Sequence, residues 1–174
     1  INATKKNPGK IKIGHAGVGS FTYTTGAALM KEQNAKAVFV PVGKRRLPSL
    51  LAGEVDAISV HPPELMASVR AGKVRMLAIS TPVKMAAYPD VPTFKSLGMG
   101  LGFYQFRGVF VPKGTPKSVI KKLSNAYKVA STDKKLKAAA LQKGFGINFI
   151  PYNKFPKYVA GQDALLRKAM AGLK

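Results

Sequence analysis

The chain has 174 residues, 46% hydrophobic and 9% aromatic, a composition typical of a folded globular protein. It lacks cysteine, which excludes disulfide scaffolds, thiolate metal sites and cysteine nucleophiles. Its 29 lysines and arginines against 7 acidic residues give a net charge of +22, which indicates either an attraction for anions or a solvated basic surface. No run of about 18 apolar residues is present to span a membrane. The start, INATKKNPGK, lacks a signal-peptide core, so any signal is expected upstream of it.

The first hundred residues alternate short apolar runs with helical patterns, which predicts βαβ crossovers and a parallel sheet. The predicted strands cover residues 11–14, 37–41, 56–60 and 74–80. The predicted helices cover residues 20–33, 47–51, 64–70 and 91–97. This part of the chain is therefore expected to form an α/β fold with right-handed connections.

The second half of the chain is rich in helices and poor in strands. A long apolar run at 101–112, LGFYQFRGVFVP, is predicted to be a strand that passes from one lobe to another. The elements predicted after it are a helix with Thr115 as N-cap and Pro116 in its first turn, a helix to Gln142 capped by Asp133, a strand at 147–150 and a helix at 153–173. Three amphipathic helices and one short strand need an apolar surface to pack against, and this chain scarcely provides one.

Polar and basic side chains follow the predicted strands. Ligands of open parallel sheets bind outside the carboxyl ends of the strands, where both histidines, His15 and His61, are expected to lie. The trio Lys44, Arg45 and Arg46 follows the second strand in the same way. Together these groups predict an anion-binding rim, although each histidine taken singly is also compatible with an ordinary turn.

The stretch AGVGS at 16–20 stands between the first predicted strand and the first predicted helix. Its N–H groups are therefore expected at a helix N-terminus, where the helix dipole favours a negative group. No Gly-Lys-Ser/Thr follows, which excludes a Walker loop, and Thr22 breaks the pattern GxGxxG. Glycines required only for a tight turn explain the stretch equally well.

The sequence offers little support for catalysis. No acidic pair follows one strand end, and Glu64, the acid near His61, is more simply explained as a helix cap. No cluster of histidine and acidic residues has metal-ligand spacing. We therefore predict a binding site without catalysis, metal or cofactor.

Nucleic-acid binding is the alternative from a different class. Tyr104, Phe106 and Arg107 interleave aromatic and basic residues, but strand alternation puts Arg107 on the opposite face from both rings. Buried core aromatics explain the run more simply. No specific nucleic-acid partner is expected, and a basic polyanion-binding or scaffold protein built on a truncated lobe stays open.

The order of segments resembles a known family. NPGKIKIGHAGVGS, LLAGEVDAIS, VRAGKVRMLAIST, YPDVPTFKSLGM and FRGVFVPKGTPKSVIKKL are similar to the substrate-binding proteins of tripartite tricarboxylate transporters, the Bug family. The combination AGKxRxLAxS, PDVPT and G(V/L)xxPxGTP is specific, and the resemblance runs from about residue 7 to the end.

The resemblance implies a type II periplasmic-binding-protein-like fold, in which two α/β lobes close on a carboxylate without catalysis. It implies a periplasmic protein that passes its ligand to membrane permease subunits. Residues 1–100 would form the second lobe, and residues 101–174 a hinge-crossing strand and the C-terminal part of the first lobe. The ligand-binding residues that it implies are His15, Ala16, Gly17, Val18, Gly19, Ser20, Val60 and His61, with Lys44, Arg45 and Arg46 adding electrostatic attraction.

The chain departs from the family pattern in three places. Val60-His61 stands where many relatives have Asp-Asn, which removes an amine-reading aspartate. The segment 43–46, GKRR, replaces a usual glycine pair and adds positive charge that favours an acidic ligand. Family members begin with a first-lobe segment that has no counterpart here. The chain is therefore expected to be a fragment of a longer protein, to have its first lobe completed by a second chain or by self-association, or to be a shortened relative.

Overall fold

The computed structural model describes residues 1–102 and 105–172. The strands are β1 (Lys12–His15), β2 (Val38–Pro41) and β3 (Ala57–Ile58). The helices are α1 (Asn2–Lys6), α2 (Phe21–Glu32), α3 (Arg46–Leu51), α4 (Met66–Arg70), α5 (Lys117–Thr132), α6 (Lys134–Gln142) and α7 (Phe155–Met170). Single 3-10 turns form at Gly43–Arg45, Pro62–Glu64 and Lys95–Leu97.

The strands form one parallel sheet in the order β2-β1-β3, which confirms the predicted α/β fold class. β1 lies in the centre, with Ile13 opposite Phe39 of β2 and Ala57 of β3. A side chain at Gly14 would crowd the sheet, because its Cβ would lie 3.0 Å from the Val42 Cγ2 atom. The central strand is thus packed tightly between its two neighbours.

Helix α2 packs closely on this sheet because its inner face is built from small residues. Gly26, Ala27 and Ala28 are buried, and a Cβ on Gly26 would lie 2.9 Å from the Phe39 ring. The helix begins at a proper cap, since Ser20 Oγ accepts a hydrogen bond from Tyr23 N at 3.1 Å. This arrangement fixes the first turn of α2 just beyond the end of β1.

Several predicted elements differ in the structure. Residues 74–80 form no strand, and only Ile79 makes a bridge, to Thr93. The described residues of 101–112 and those of 147–150 form no strand either, while residues 103 and 104, including Tyr104, lie outside the described part. The short helix at 91–97 is reduced to the 3-10 turn Lys95–Leu97. The predicted end of the last helix at residue 173 also falls outside the described residues.

Of the two helix caps predicted in the second half of the chain, the structure confirms one. Asp133 Oδ1 accepts a hydrogen bond from Leu136 N at 2.7 Å, which confirms the cap of α6. Thr115 was wrongly predicted as the N-cap of α5, since that position is held by Pro116. The Thr115 hydroxyl instead donates to the Pro112 carbonyl at 2.8 Å, so it stabilises the preceding turn.

The buried hydrophobic side chains all come from the first hundred residues. They are Ile13, Ala27, Ala28, Met30, Val55, Leu65, Ile79, Tyr88 and Phe94. By contrast, α5, α6 and α7 contain no buried residue, and Leu123 and Tyr127 on the apolar face of α5 are 40% and 51% exposed. The accessible surface is 11638 Å², whereas a folded monomer of 18.6 kDa exposes about 8,200 Å². The excess indicates that the apolar faces of these helices are left uncovered.

Contacts at two places join the helical half to the sheet. Tyr88 is buried against Gly144, and Arg70 Nη2 donates to the Gln142 carbonyl at 3.2 Å. At the other place, the Lys31 ammonium donates to the Ala171 carbonyl, and α7 packs beside α2. The two halves therefore contact each other through a few specific groups.

A buried cation ties the ends of β2 and β3 together. Arg46 is 9% exposed, and its guanidinium donates to the Gly43 carbonyl and pairs with Glu64. Because Gly43 follows β2 and Glu64 follows β3, this one side chain spans both loops. Arg45 and Glu54 form a second ion pair at 3.1 Å, but both side chains are largely exposed.

Replacing Glu64 by Gln should destabilise the protein more than replacing Glu54 by Gln. Glu64→Gln leaves the buried Arg46 charge uncompensated, at a cost of about 1–2 kcal/mol once the partial exposure of Glu64 is allowed for. Glu54→Gln removes an exposed pair worth about 0.5 kcal/mol or less. Urea unfolding measures both values, and equal losses would contradict the structural role of Arg46.

Replacing Gly144 by Ala should destabilise the junction at Tyr88. A Cβ there would overlap the Tyr88 hydroxyl and lie 3.2 Å from Met66 Cγ, in a residue with φ +77°. Strain and overlap together cost about 2–4 kcal/mol. Gly53→Ala is the matched control, because Gly53 has φ +72° and open space, so only about 1 kcal/mol of strain is expected. Similar unfolding midpoints for both variants would argue against tight packing at Tyr88.

Candidate functional site

The loop between β1 and α2 has a conformation that requires glycine twice. Gly17 and Gly19 have φ +145° and +78°, both in the region that disfavours other residues. A Cβ at either position would meet nothing within 4 Å, so the backbone angle and not lack of space selects glycine. Val18 between them is 79% exposed. The loop therefore presents its backbone outward with little side-chain cover.

Three of the five loop amides are already used inside the loop. Ala16 N donates to Thr22 Oγ1 at 3.0 Å, and Ser20 N donates to the Gly17 carbonyl at 3.1 Å. Gly17 N donates to His15 Nδ1, also at 3.1 Å. These bonds hold the loop in one conformation before any ligand arrives.

The remaining two loop amides have no partner in the described part of the chain. Val18 N and Gly19 N donate no hydrogen bond to any residue that the structure describes. They lie just before the N-terminus of α2, a helix of 12 residues whose dipole favours an anion there. Of the loop amides predicted from the sequence, these two are the ones free to bind a ligand.

His15 lies beneath the loop and not on its surface. Its side chain is 0% exposed and packs against the rings of Tyr23 and Phe39, with centroids 5.0 Å and 6.1 Å away. The prediction that His15 donates directly to the ligand therefore needs correction, because the ring has no surface to offer. Its contact with the loop is the bond that it accepts from Gly17.

His61 lies beside the loop, as the position of its strand predicts. Its ring stacks on Phe21, the first residue of α2, with centroids 5.9 Å apart. Burial is the main cause that lowers the pKa of His61, Glu64 raises it, and the charges of Arg107 and Arg46 lower it further. His61 is therefore neutral at neutral pH, with one ring nitrogen that donates and one that accepts. Val60 before it is half-buried.

The basic trio after β2 is less available to a ligand than the sequence predicts. Arg46 is buried and paired with Glu64, and Arg45 is paired with Glu54, so neither is a free cation for a ligand. Lys44 is the member of the trio without an acidic partner among the described residues. Long side chains can fold back onto neighbouring acids, and the spacing GKRR alone does not reveal this.

A large open cavity begins at His61 and runs toward the helical half. Its volume is about 2490 Å³, and both Phe21 and Val60 line it beside His61. The charged residues of its described lining are basic at Lys73, Arg75, Lys84, Arg107 and Lys117, and acidic at Asp56. Any solute that enters the cavity therefore meets a positive field.

Sequence reasoning missed two residues that shape the loop. Thr22 accepts from Ala16 and hydrogen-bonds the Ser20 hydroxyl at 3.0 Å, so it braces both ends of the loop. Phe21 provides the ring on which His61 stacks. A hydroxyl two residues after a helix cap was the available signal for Thr22, whereas the position of Phe21 follows only from the fold.

The described residues contain no group of three histidine, aspartate or glutamate side chains arranged to hold a metal ion. Among the same residues, no helix has the length and apolar character needed to cross a membrane.

Comparison with known proteins identifies the family. The sequence model described as "Tripartite tricarboxylate transporter family receptor" matches residues 1–165. The UPF0065 protein in the gbd 5' region of Cupriavidus necator is 31% identical over 132 residues, covering 75% of this chain and 40% of that protein. The UPF0065 protein in the tcbD-tcbE intergenic region of a Pseudomonas species is 30% identical over 128 residues, covering 71% and 38%. The chain thus spans about two fifths of these relatives.

Solved structures agree with this assignment. A TctC solute binding protein from Polaromonas has a TM-score of 0.82 and 25% identity, over 99% of this chain and 60% of that one. A protein described as a periplasmic transporter has a TM-score of 0.76 and 28% identity, over 96% and 57%. The periplasmic-binding-protein-like fold predicted from the resemblance is therefore confirmed, and the chain belongs to the tripartite tricarboxylate transporter receptor family.

Proposed function

We propose that this chain is part of a periplasmic solute-binding protein that captures a small carboxylate and passes it to the membrane permease subunits of a tripartite tricarboxylate-type transporter. The observation that carries the proposal is the pair of free amides, Val18 N and Gly19 N, in a rigid loop at the start of α2. Two adjacent N–H donors next to a positive helix end suit the two oxygens of a carboxylate.

Three features support this assignment beyond the loop. His61, neutral and beside Phe21, offers a further hydrogen bond next to an apolar ring. The positive lining of the cavity and the net charge of +22 attract an anionic solute from a distance. Two proteins of the same fold, both from Rhodopseudomonas palustris, have structures described with adipate and with bound malate.

We propose binding without catalysis. A general acid or base would have to stand beside His61, and Glu64 is the nearest candidate in the sequence. Glu64 is bound to the buried guanidinium of Arg46, which holds it in a structural role. The acid nearest to His61 in the sequence is therefore engaged by Arg46 and is not free to act with the imidazole.

Replacing Val18 by Pro should weaken carboxylate binding about tenfold or more, because it removes one charge-assisted N–H donor. Val18→Ala is the matched control and should bind normally, since it keeps the amide and changes only an exposed side chain. Calorimetry against citrate, succinate, glutamate and an aromatic acid, at low and high salt, measures the effect. Circular dichroism confirms that both variants fold.

The alternative function, binding of polyanions such as nucleic acid, predicts a different dependence of affinity on salt. A polyanion-binding protein would bind a short oligonucleotide with an affinity that falls steeply with salt, because binding releases counterions. If no carboxylate binds and the oligonucleotide binds only at low salt, the carrier function is contradicted and the polyanion function is favoured.

We further propose that residues 1–100 form the second lobe, that residues 101–174 belong to the hinge and the first lobe, and that polypeptide outside these residues covers the apolar faces of α5–α7. The accessible surface exceeds that of an ordinary monomer of this mass by about 3,400 Å², the size of an obligate interface. A further segment of the same protein, a separate chain and a second copy are all able to supply such an interface.

The isolated chain should self-associate, and more strongly at high salt. Apolar helix faces drive the association, while the +22 charge of each copy opposes it until salt screens the repulsion. Light scattering should show a larger mass at about 0.5 M salt than at low salt. Leu123→Ser on the apolar face of α5 should reduce this mass, and Lys121→Ser on its other side should not. A monomer under all conditions would rule out self-association and leave a further segment of the protein or a separate chain.

A further inference from the structure

His15 is a buried titratable group that the proposed binding step does not use directly. Its side chain is fully inaccessible, yet it forms a hydrogen bond with the loop that carries the free amides. The bond joins its Nδ1 atom to Gly17 N at 3.1 Å. Because the backbone amide can only donate, Nδ1 must accept.

This bond fixes the tautomer of a neutral His15 ring. A neutral imidazole that accepts at Nδ1 carries its proton at Nε2. Nε2 is buried and has no hydrogen-bond partner among the described residues. The rings that face His15 are the phenol of Tyr23 from α2 and the phenyl of Phe39 from β2. No charged side chain of the described chain forms an ion pair or hydrogen bond with it.

The bond also takes part in deciding which loop amides stay free. Gly17 N is bound to His15 and Ala16 N to Thr22, which leaves Val18 N and Gly19 N without a partner among the described residues. Without an acceptor at Nδ1, the Gly17 amide would be unbound as well, and the loop would lose one of the bonds that hold its conformation.

We propose that His15 is a positioning residue: its Nδ1 atom accepts from Gly17 N, holds the loop in one conformation, and thereby keeps Val18 N and Gly19 N in place for the carboxylate. The inference rests on the proposed function of the loop. It assigns to His15 a role through Gly17 and no contact with the ligand.

The first test needs no ligand. Nitrogen-15 NMR of the full chain at pH 8 should show His15 as the Nε2–H tautomer, with a proton at Nε2 and none at Nδ1. In His15→Phe the Gly17 amide should shift, because it loses its acceptor, while the amide of Gly53 stays unchanged. A proton on Nδ1 at pH 8, or a Gly17 amide that is the same in His15→Phe, would overturn the proposal.

The second test compares two substitutions with succinate as the probe. His15→Asn keeps an acceptor near the Nδ1 position. It should bind succinate within threefold of the unmodified chain at pH 8. His15→Phe keeps a ring against Tyr23 and Phe39 but leaves Gly17 N without its acceptor, so about tenfold weaker binding is expected at pH 8.

The comparison separates the hydrogen bond to Gly17 from the packing of the ring. His15→Phe keeps a ring and loses the acceptor, whereas His15→Asn keeps the acceptor and loses the ring, so the difference in affinity between them belongs to the bond. Equal affinity of His15→Phe and the unmodified chain for succinate, or equally weak binding by both variants, would overturn the proposal. If succinate does not bind at all, the proposed function fails, and the NMR result still decides the role of His15.

Discussion

The pairing of β1 on both of its edges is the constraint on which the rest of the site depends. β2 and β3 hold β1 in parallel register, so the chain leaves the sheet at His15 in a fixed place. Ser20 then fixes the first turn of α2 by capping it. The loop between them is held at both ends, and its exposed amides gain a rigidity that an isolated glycine-rich loop would not have.

The elements with a local signal were predictable from the sequence. β1, β2 and α2 lie within one residue of their predicted ends, because apolar runs, a hydroxyl cap and small inner-face residues all indicate the same structure. The run at 74–80 is equally apolar but pairs only at Ile79, since a strand needs a partner edge and not only a suitable composition. Sequence patterns cannot reveal whether that edge is present.

The site was predictable in its backbone and not in its side chains. The glycine-rich loop and the place of His61 follow from the order of strands and helices, which the sequence shows directly. Whether His15 points to solvent or toward Phe39, and whether Arg46 reaches Glu64, depends on distant parts of the chain. Both side chains point inward, because His15 packs against aromatic rings and Arg46 pairs with an acid.

Two of the three cations after β2 are therefore engaged by acids, and this affects how recognition can work. Arg45 pairs with Glu54 and Arg46 with Glu64, whereas the loop offers two amides without a partner among the described residues, beside the neutral ring of His61. Amides recognise an anion by direction, because each N–H must point at an oxygen, whereas scattered lysines attract any negative charge. Under the proposed function, attraction and recognition are therefore separate: the distributed charge brings anions in, and the loop held by β1 and α2 selects those with a carboxylate of the right geometry.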